Sequence, residues 1–430
     1  MIFRNVIHIV LVAALAAPPV LAGEAPVTLG AALTNAKMKN EDFMISKEQL
    51  KQTLLVRDKA WASFLPVLKV YGTFTHNDKE IAFSDRTIQQ QDVLYGTASA
   101  TLMIFKGSSI PNLLEAYDLA RLGKESTRWA LNELAFEVAQ AYYAVLAARN
   151  LVAAAERSQK TAEEYLAAVK VRIDADDAIA IDETRAQMAL VTAQGNLINS
   201  NNALDGAMDY LAFLLDVEPP VSVEPPPEPV LPQKTDEELT KLALMRRPDL
   251  AAAKYKLKAA KTAVTEAWMD FLPSLGVTAT GKANQNTGWS GDPYSWDIVL
   301  FMEWEIWDGG MGRATTIEQK SKLSEAKLEQ EKLERYVKME IRQARRDMKD
   351  AAASLATAKE ALNLARKSRD MVLGRYNAGL ANSLELTETD DTLRQSEVEV
   401  VAKELGYSLS VLQFLRVLGL DPMGKEIDNV

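Results

Sequence analysis

Carboxylates are the chemistry-bearing side chains that this sequence gathers into groups. One group, Asp174, Asp176, Asp177, Asp182 and Glu183, lies in "RIDADDAIAIDE". A second, Glu385, Glu388, Asp390 and Asp391, follows "RYNAGLANS". Glu385 and Glu388 are spaced i, i+3 and share one helix face. Negative charge at that position suits the first turn of a helix, with Ser383 as N-cap. No catalytic constellation accompanies these groups, and the chain does not read as an enzyme. There are no cysteines and only two histidines, which excludes disulfides, thiol chemistry and Cys/His zinc sites. His76 stands at the end of an expected strand with no nucleophile motif nearby and reads as loop polarity. No cofactor and no metal is expected.

Several bulk properties narrow the class further. A net charge of -10 over 430 residues argues against a nucleic-acid partner. Arg4, the apolar run "VIHIVLVAALAA" and the small residues of "VLAGEA" form a secretory leader over 1–22, with cleavage expected after Ala22. No cysteine follows that site, so a lipid anchor there is not expected. Beyond the leader no apolar run is long enough for a membrane helix. Any membrane contact must use strands or a surface helix.

The elements that hold the carboxylates are written twice. "WASFLPVLKVYGT" (Trp61–Thr73) returns as "WMDFLPSLGVTAT" (Trp268–Thr280), about 207 residues later. Each of two repeats, 23–216 and 236–422, reads helix, strand, loop, strand, long helix, tip, helix. A proline-rich extended linker, 217–235, joins them, and 423–430 is a tail. The long helices are expected over Asn112–Arg172 and Arg313–Tyr376, each about 60 residues and roughly 90 Å long. Large residues recur every seven (Val138, Val145, Val152; Ile341, Met348, Leu355, Leu362) beside alanines at the same interval (Ala141, Ala148, Ala155, Ala162; Ala344, Ala351, Ala358, Ala365). Such a seam lets helices approach closely, knobs into holes. The return helices, Asp182–Leu215 and Ser383–Leu418, are about half as long. Single helices over Leu29–Phe64 and Asp236–Phe271 are expected to complete each rod.

Past Pro66 and Pro273 the pattern changes to period two, a strand with one apolar face. The predicted apolar face carries Leu68, Val70, Leu102, Ile104, Leu275, Val277, Trp296, Ile298, Leu300, Met302 and Trp304. A soluble sandwich would satisfy that alternation. Strands of about 10 to 13 residues, with Trp296 and Trp304 set apart and Trp289 and Tyr294 nearby, also suit a tilted bilayer crossing with aromatic girdles. Four strands cannot close around a lumen, and open edges are forbidden in lipid, so copies would have to share one barrel. Trp61, Phe64, Trp268 and Phe271 would then mark the helix-to-membrane junctions.

In the order of its pieces the sequence resembles the outer membrane efflux protein family, the TolC-like channels. The matching pieces are the two "FLP" junctions, "RRPDL" (Arg246–Leu250), "IWDGGMGRA" (Ile306–Ala314), "RYNAGLANSLEL" (Arg375–Leu386) and "LQFLRVLGLDP" (Leu412–Pro422). The resemblance implies a mainly α protein with a membrane β-barrel. A homotrimer would give four strands per protomer to a shared 12-stranded barrel, with coiled-coil helices forming a periplasmic tunnel. It implies a passive exit duct in the outer membrane, serving efflux or type I secretion with a periplasmic adaptor and an inner-membrane transporter. Glu385, Glu388 and Asp182 would then ring the mouth, and Ala175, Asp176, Asp177, Ala378, Gly379 and Leu380 would meet the adaptor. The family's Arg–Asp latch needs a basic residue just after the tip glycine, where this chain has Leu380 and Ala381. A soluble periplasmic coiled-coil adaptor or scaffold is the alternative reading, set apart by the exposed apolar strand face.

Overall fold

The computed structural model describes residues 26–83, 86–174, 179–227, 229, 231–232, 234–284 and 292–427. The expected leader, Trp289 and the tip residues Ala175, Asp176 and Asp177 lie outside the described residues. The first repeat runs α1 (Leu29–Lys39), α2 (Glu41–Ala62), β1 (Val67–His76), β2 (Ile81–Phe83), β3 (Arg86–Gln89), β4 (Asp92–Phe105), α3 (Ser109–Asp174) and α4 (Ala180–Leu215). The second runs α5 (Asp236–Arg246), α6 (Pro248–Met269), β5 (Ser274–Asn284), β6 (Tyr294–Glu303), α7 (Met311–Asn377) and α8 (Ser383–Val417). Among the described residues no helix is long and apolar enough to cross a membrane.

Each repeat opens with two helices where one was expected. Asn40 interrupts the first: its backbone is extended, and its side chain accepts from the Phe43 N–H at 3.2 Å, starting a new helix. Pro248 interrupts the second. It cannot donate to the preceding turn and it holds Arg247 extended, so α5 stops and α6 starts with proline in its first turn. A capping box between Thr235 and Glu238 starts α5.

The long helices α3 and α7 run for 66 and 67 residues. Their alanine seams are largely out of solvent. Ala141, Ala148, Ala155 and Ala162 are all buried, beside a fully buried Val138 and a buried Val145. In α7, Ile341, Ala344, Ala358 and Ala365 are buried while Met348, Ala351, Leu355 and Leu362 are half-buried. The seven-residue pattern thus marks a packed stripe in both helices, more complete in the first.

The chain packs as two units, each drawing on both repeats. One comprises the chain up to 36, 141–227 and 365–401. Here the linker is fixed to the start of the chain. Val27 bridges Val223 in parallel, and the buried Tyr142 hydroxyl lies 2.6 Å from the Glu224 carbonyl and 2.7 Å from that of Val27. Arg149 donates to the Val223 carbonyl at 2.8 Å, and Asn35 to that of Leu215 at 2.9 Å. These side chains satisfy backbone carbonyls of an extended, proline-rich segment that cannot make a helix ladder.

The other unit comprises 37–140, 228–364 and 402–430. It contains the sheet and a buried cation. Arg247, only 4% exposed, donates to Asp249 (2.7 Å), to Glu340 (2.9 Å) and to the Val417 carbonyl (3.3 Å), and its guanidinium faces Trp129 at 5.1 Å. Arg416 also faces Trp129, at 5.8 Å, and forks onto Glu133 at 2.6 and 2.7 Å. The "RRPDL" piece is therefore a fastener. Its arginine ties the α5–α6 break to α3, α7 and α8, and its proline makes the break.

Two stability measurements test this packing. Arg247→Ala leaves Asp249 and Glu340 without their shared partner and should cost about 3–5 kcal/mol in denaturant unfolding. Ala148→Leu should overpack the seam by about 1–3 kcal/mol, whereas Lys349→Glu, on an exposed position, should leave the midpoint unchanged. An unaltered midpoint for Ala148→Leu would contradict a close-packed seam.

Candidate functional site

The sheet is antiparallel in the order β1-β4-β5-β6. Its register places facing residues in rows, and facing residues share a side. One side carries Leu68 and Val70 of β1, Leu102 of β4, Leu275 and Val277 of β5, and Trp296, Ile298, Leu300 and Met302 of β6. These pair directly, Val277 with Leu102 and Leu300, Leu275 with Met302. Leu68, Val70, Trp296, Ile298, Leu300 and Met302 are exposed, Leu300 to 71%. Two expected positions differ. Ile104 falls in a register shift between Met103 and Phe105, and Phe105 stands opposite Leu275. The extra residue of a bulge breaks strict alternation, which sequence spacing cannot reveal. Trp304 lies past the end of β6, where its indole N–H donates to the Phe271 carbonyl at 3.1 Å.

The opposite side is polar at most positions. Lys282 pairs with Asp297 at 2.7 Å, and the Thr101 and Thr278 hydroxyls lie 3.0 Å apart. Phe301 is an exception with a reason: its ring lies over Gly276, where an added Cβ would come within 2.4 Å of it. A side chain at 276 would force that ring to move, so the glycine leaves the ring its place over the strand.

The doubled "WxxFLP" pieces sit where helix gives way to strand, and they match each other in detail. Trp61 and Phe64 are 5.7 Å apart and tilted; Trp268 and Phe271 are 6.0 Å apart and tilted. Trp61 is 49% exposed and Trp268 55%, so neither is a core residue. Past β6, the Asp308 carboxylate accepts from the Gly310 N–H at 2.8 Å and from the Gly312 N–H, organising the start of α7. Those N–H groups, Gly312 foremost, hold its carboxyl below the usual range.

The tip belongs to the other unit. Gly379 adopts φ 71°, which closes α7: the Leu380 N–H bonds back to the Arg375 carbonyl at 2.8 Å and the Gly379 N–H to that of Tyr376 at 3.0 Å. Asn382, not Ser383, caps α8, accepting from the Glu385 N–H at 2.9 Å. Ser383 is buried and has another task. Its hydroxyl donates to Asp182 and accepts from Arg185 at 3.3 Å, joining α4 to α8. Tyr165 and Tyr376 meet edge to face at 6.1 Å over Val169, Ala186 and Leu386, and Arg172 covers the Tyr376 ring at 4.7 Å.

The predicted mouth carboxylates therefore divide. Asp182 is bound in the α4–α8 fastener. Glu385 lies 3.6 Å from Arg375, which also donates to the Leu380 carbonyl at 3.0 Å. Glu388 is exposed and has no cationic partner among the described residues. Asp390 pairs with Arg369 at 3.0 Å, and burial pushes its carboxyl up despite that cation. Arg185, Arg375 and the partners of Ser383 escaped sequence reasoning. Their partners are 198 residues away in one case, and a lone arginine on a helix gives no signal of whom it meets. Ala378, Gly379 and Leu380 form the turn itself, with Leu380 70% exposed.

Ser383→Ala removes both the donor to Asp182 and the acceptor for Arg185. The expected result is faster amide exchange at the first turn of α8, with the sheet's exchange unchanged; equal protection in both proteins would deny the fastener a role.

Residues 239–420 match the family model described as outer membrane efflux protein. The chain is 24% identical over 309 residues to outer membrane protein OprJ of Pseudomonas aeruginosa, covering 69% of this chain and 63% of that one. It is 23% identical over 335 residues to outer membrane efflux protein BepC of Brucella suis, covering 76% and 72%. In fold it is similar to the CmeC outer membrane channel of Campylobacter jejuni, with a TM-score of 0.78, 15% identity, and 94% and 87% of the two chains covered. The repeated helix–strand–helix order, the open sheet with one apolar side and the match of residues 239–420 to that family model agree: the second repeat is similar to the outer membrane efflux proteins, and the chain has the TolC-like fold.

Proposed function

We propose that this protein is a trimeric exit duct of the outer membrane, passing substrates delivered by an inner-membrane transporter and a periplasmic adaptor. The observation that carries this reading is the sheet. It has four strands, an exposed apolar side, and outer strands β1 and β6 that each have one neighbour among the described residues. Such edges in hydrocarbon demand partners, and three copies joined edge to edge would supply a closed wall. The apolar side would face lipid and the side bearing Lys282, Asp297 and Glu303 the lumen. A soluble adaptor would have no use for Trp296, Leu300 and Met302 on one exposed face. Fractionation tests the choice: recovery in the soluble periplasm without detergent would exclude the duct.

Within this reading Leu380 and its neighbours Ala378 and Gly379 offer the adaptor a small, exposed turn. Glu388 supplies the free negative charge of the mouth, and Glu385 a charge partly offset by Arg375.

Two experiments follow from the faces and from the mouth. Ile298→Arg, midway along β6 on the apolar side, should destabilise the assembled barrel by about 2–4 kcal/mol, whereas Glu303→Arg should assemble normally; equal assembly defects would remove the barrel assignment. In planar bilayers the channel should prefer potassium over chloride. Glu388→Gln should reduce that preference more than Glu385→Gln, because Arg375 stands beside Glu385 and no cation pairs with Glu388 among the described residues. Unchanged selectivity in the double variant would leave both glutamates as helix-start charges.

A further inference from the structure

Two carboxylic acids outside the tip and the sheet meet across a helix pair. Glu115 of α3 lies within hydrogen-bonding reach of Glu266 of α6, and the Asn112 side chain donates to Glu266 at 3.3 Å. These helices feed the two central strands. α3 leaves β4 through Gly107, and α6 enters β5 through Asp270–Pro273. The two approach closely there: a Cβ on Gly107 would come within 2.2 Å of the Met269 carbonyl oxygen.

Both glutamates line a groove of about 750 Å³. Its other charged groups are Lys256 from α6, Asp270 just past its end, and Lys322 and Glu325 from α7; α2 contributes only Val56. Neither lysine neutralises the pair. Lys256 is 2.5 Å from Glu329, and Lys322 is 2.6 Å from Glu318. Two half-buried carboxylates in contact, with the local cations engaged elsewhere, repel when both are ionised and hydrogen-bond when they hold one proton between them.

We propose that Glu115 and Glu266 share a proton and act as a pH-sensitive fastener between α3 and α6, closed while the proton is held and released when it is lost. Burial, and then Glu266, push the Glu115 carboxyl up to about 7, so the exchange falls near neutrality instead of in the acid range of an ordinary glutamate. The direction follows from linkage. A carboxyl raised in the fold favours the protonated state, so its contribution is complete below the ordinary value of 4.5 and is lost as pH rises through about 7. The device acts on how firmly the helices feeding β4 and β5 hold each other. It does not depend on the duct reading.

Infrared titration of the full-length protein in detergent, between pH 5 and 9, tests it together with thermal unfolding. Wild type should show a protonated carboxyl band that disappears near pH 7, absent in Glu115→Gln. The wild-type unfolding midpoint should fall between pH 6 and 8.5 relative to that of Glu115→Gln, whose amide still donates to Glu266 at both pH values. Identical titrations and identical pH slopes for the two proteins would overturn the proposal. If Glu115→Gln does not fold, the wild-type titration decides alone: no carboxyl titrating between pH 6 and 8 would overturn it equally.

Discussion

Backbone groups at the edge of a sheet must find partners, and in hydrocarbon no water can serve. This one requirement organises the chain. β1 and β6 carry the outer edges of the four-stranded sheet, and its exposed side is built from Leu68, Val70, Ile298, Leu300 and Met302. A soluble protein would cover both the edges and that side. Here the sheet's polar side carries the Lys282–Asp297 pair and the contacting threonines, so the two sides differ in the way that a wall between lipid and water requires. Assembly from several copies is the consequence proposed, because a single chain has too few strands to close.

The repeated junction sequence solves a second problem: how a helix hands over to a strand within a few residues. Pro66 and Pro273 end hydrogen bonding along the helix, and each aromatic pair lies beside the turn. Backbone approaches are close enough at Gly107 to leave no room for a side chain. Trp304 ties the end of β6 back to Phe271, and Asp308 starts the next helix from its own carboxylate. The junction is thus held by backbone geometry and local hydrogen bonds, with the aromatic surfaces left outward. That suits the boundary of a membrane better than the core of a soluble protein.

Where helices meet helices, arginine does the work that a larger core would do elsewhere. Arg247 gathers two carboxylates, a carbonyl and a tryptophan face. Arg185 meets the Ser383 hydroxyl that donates to Asp182, and Arg375 spans the α7–α8 turn. The planar guanidinium can serve several acceptors at once, which a lysine cannot match. Small residues make up much of the seam in α3, so apolar area per residue is modest there. Directional contacts at the helix ends then fix which elements meet.

The sequence alone determined everything that repeats at short range. Period two revealed the strands and their sides, period seven the alanine seam, and the duplicated junction the two-repeat order; these depend on residues a few positions apart. It missed the breaks at Asn40 and Pro248, although Asn and Pro are the residues that make them. Tertiary structure decided the rest. The bulge that replaces Ile104 by Phe105 exists only relative to β5. Asn382 caps α8 because the helix already starts at Ser383, and the Ser383 hydroxyl instead donates to Asp182, 201 residues away in sequence. Glu115 looks like any exposed helix glutamate until α6 places Glu266 against it. Periodicity reports which face of an element is covered, but the identity of the partner depends on how distant segments are folded together, and no local pattern carries that information.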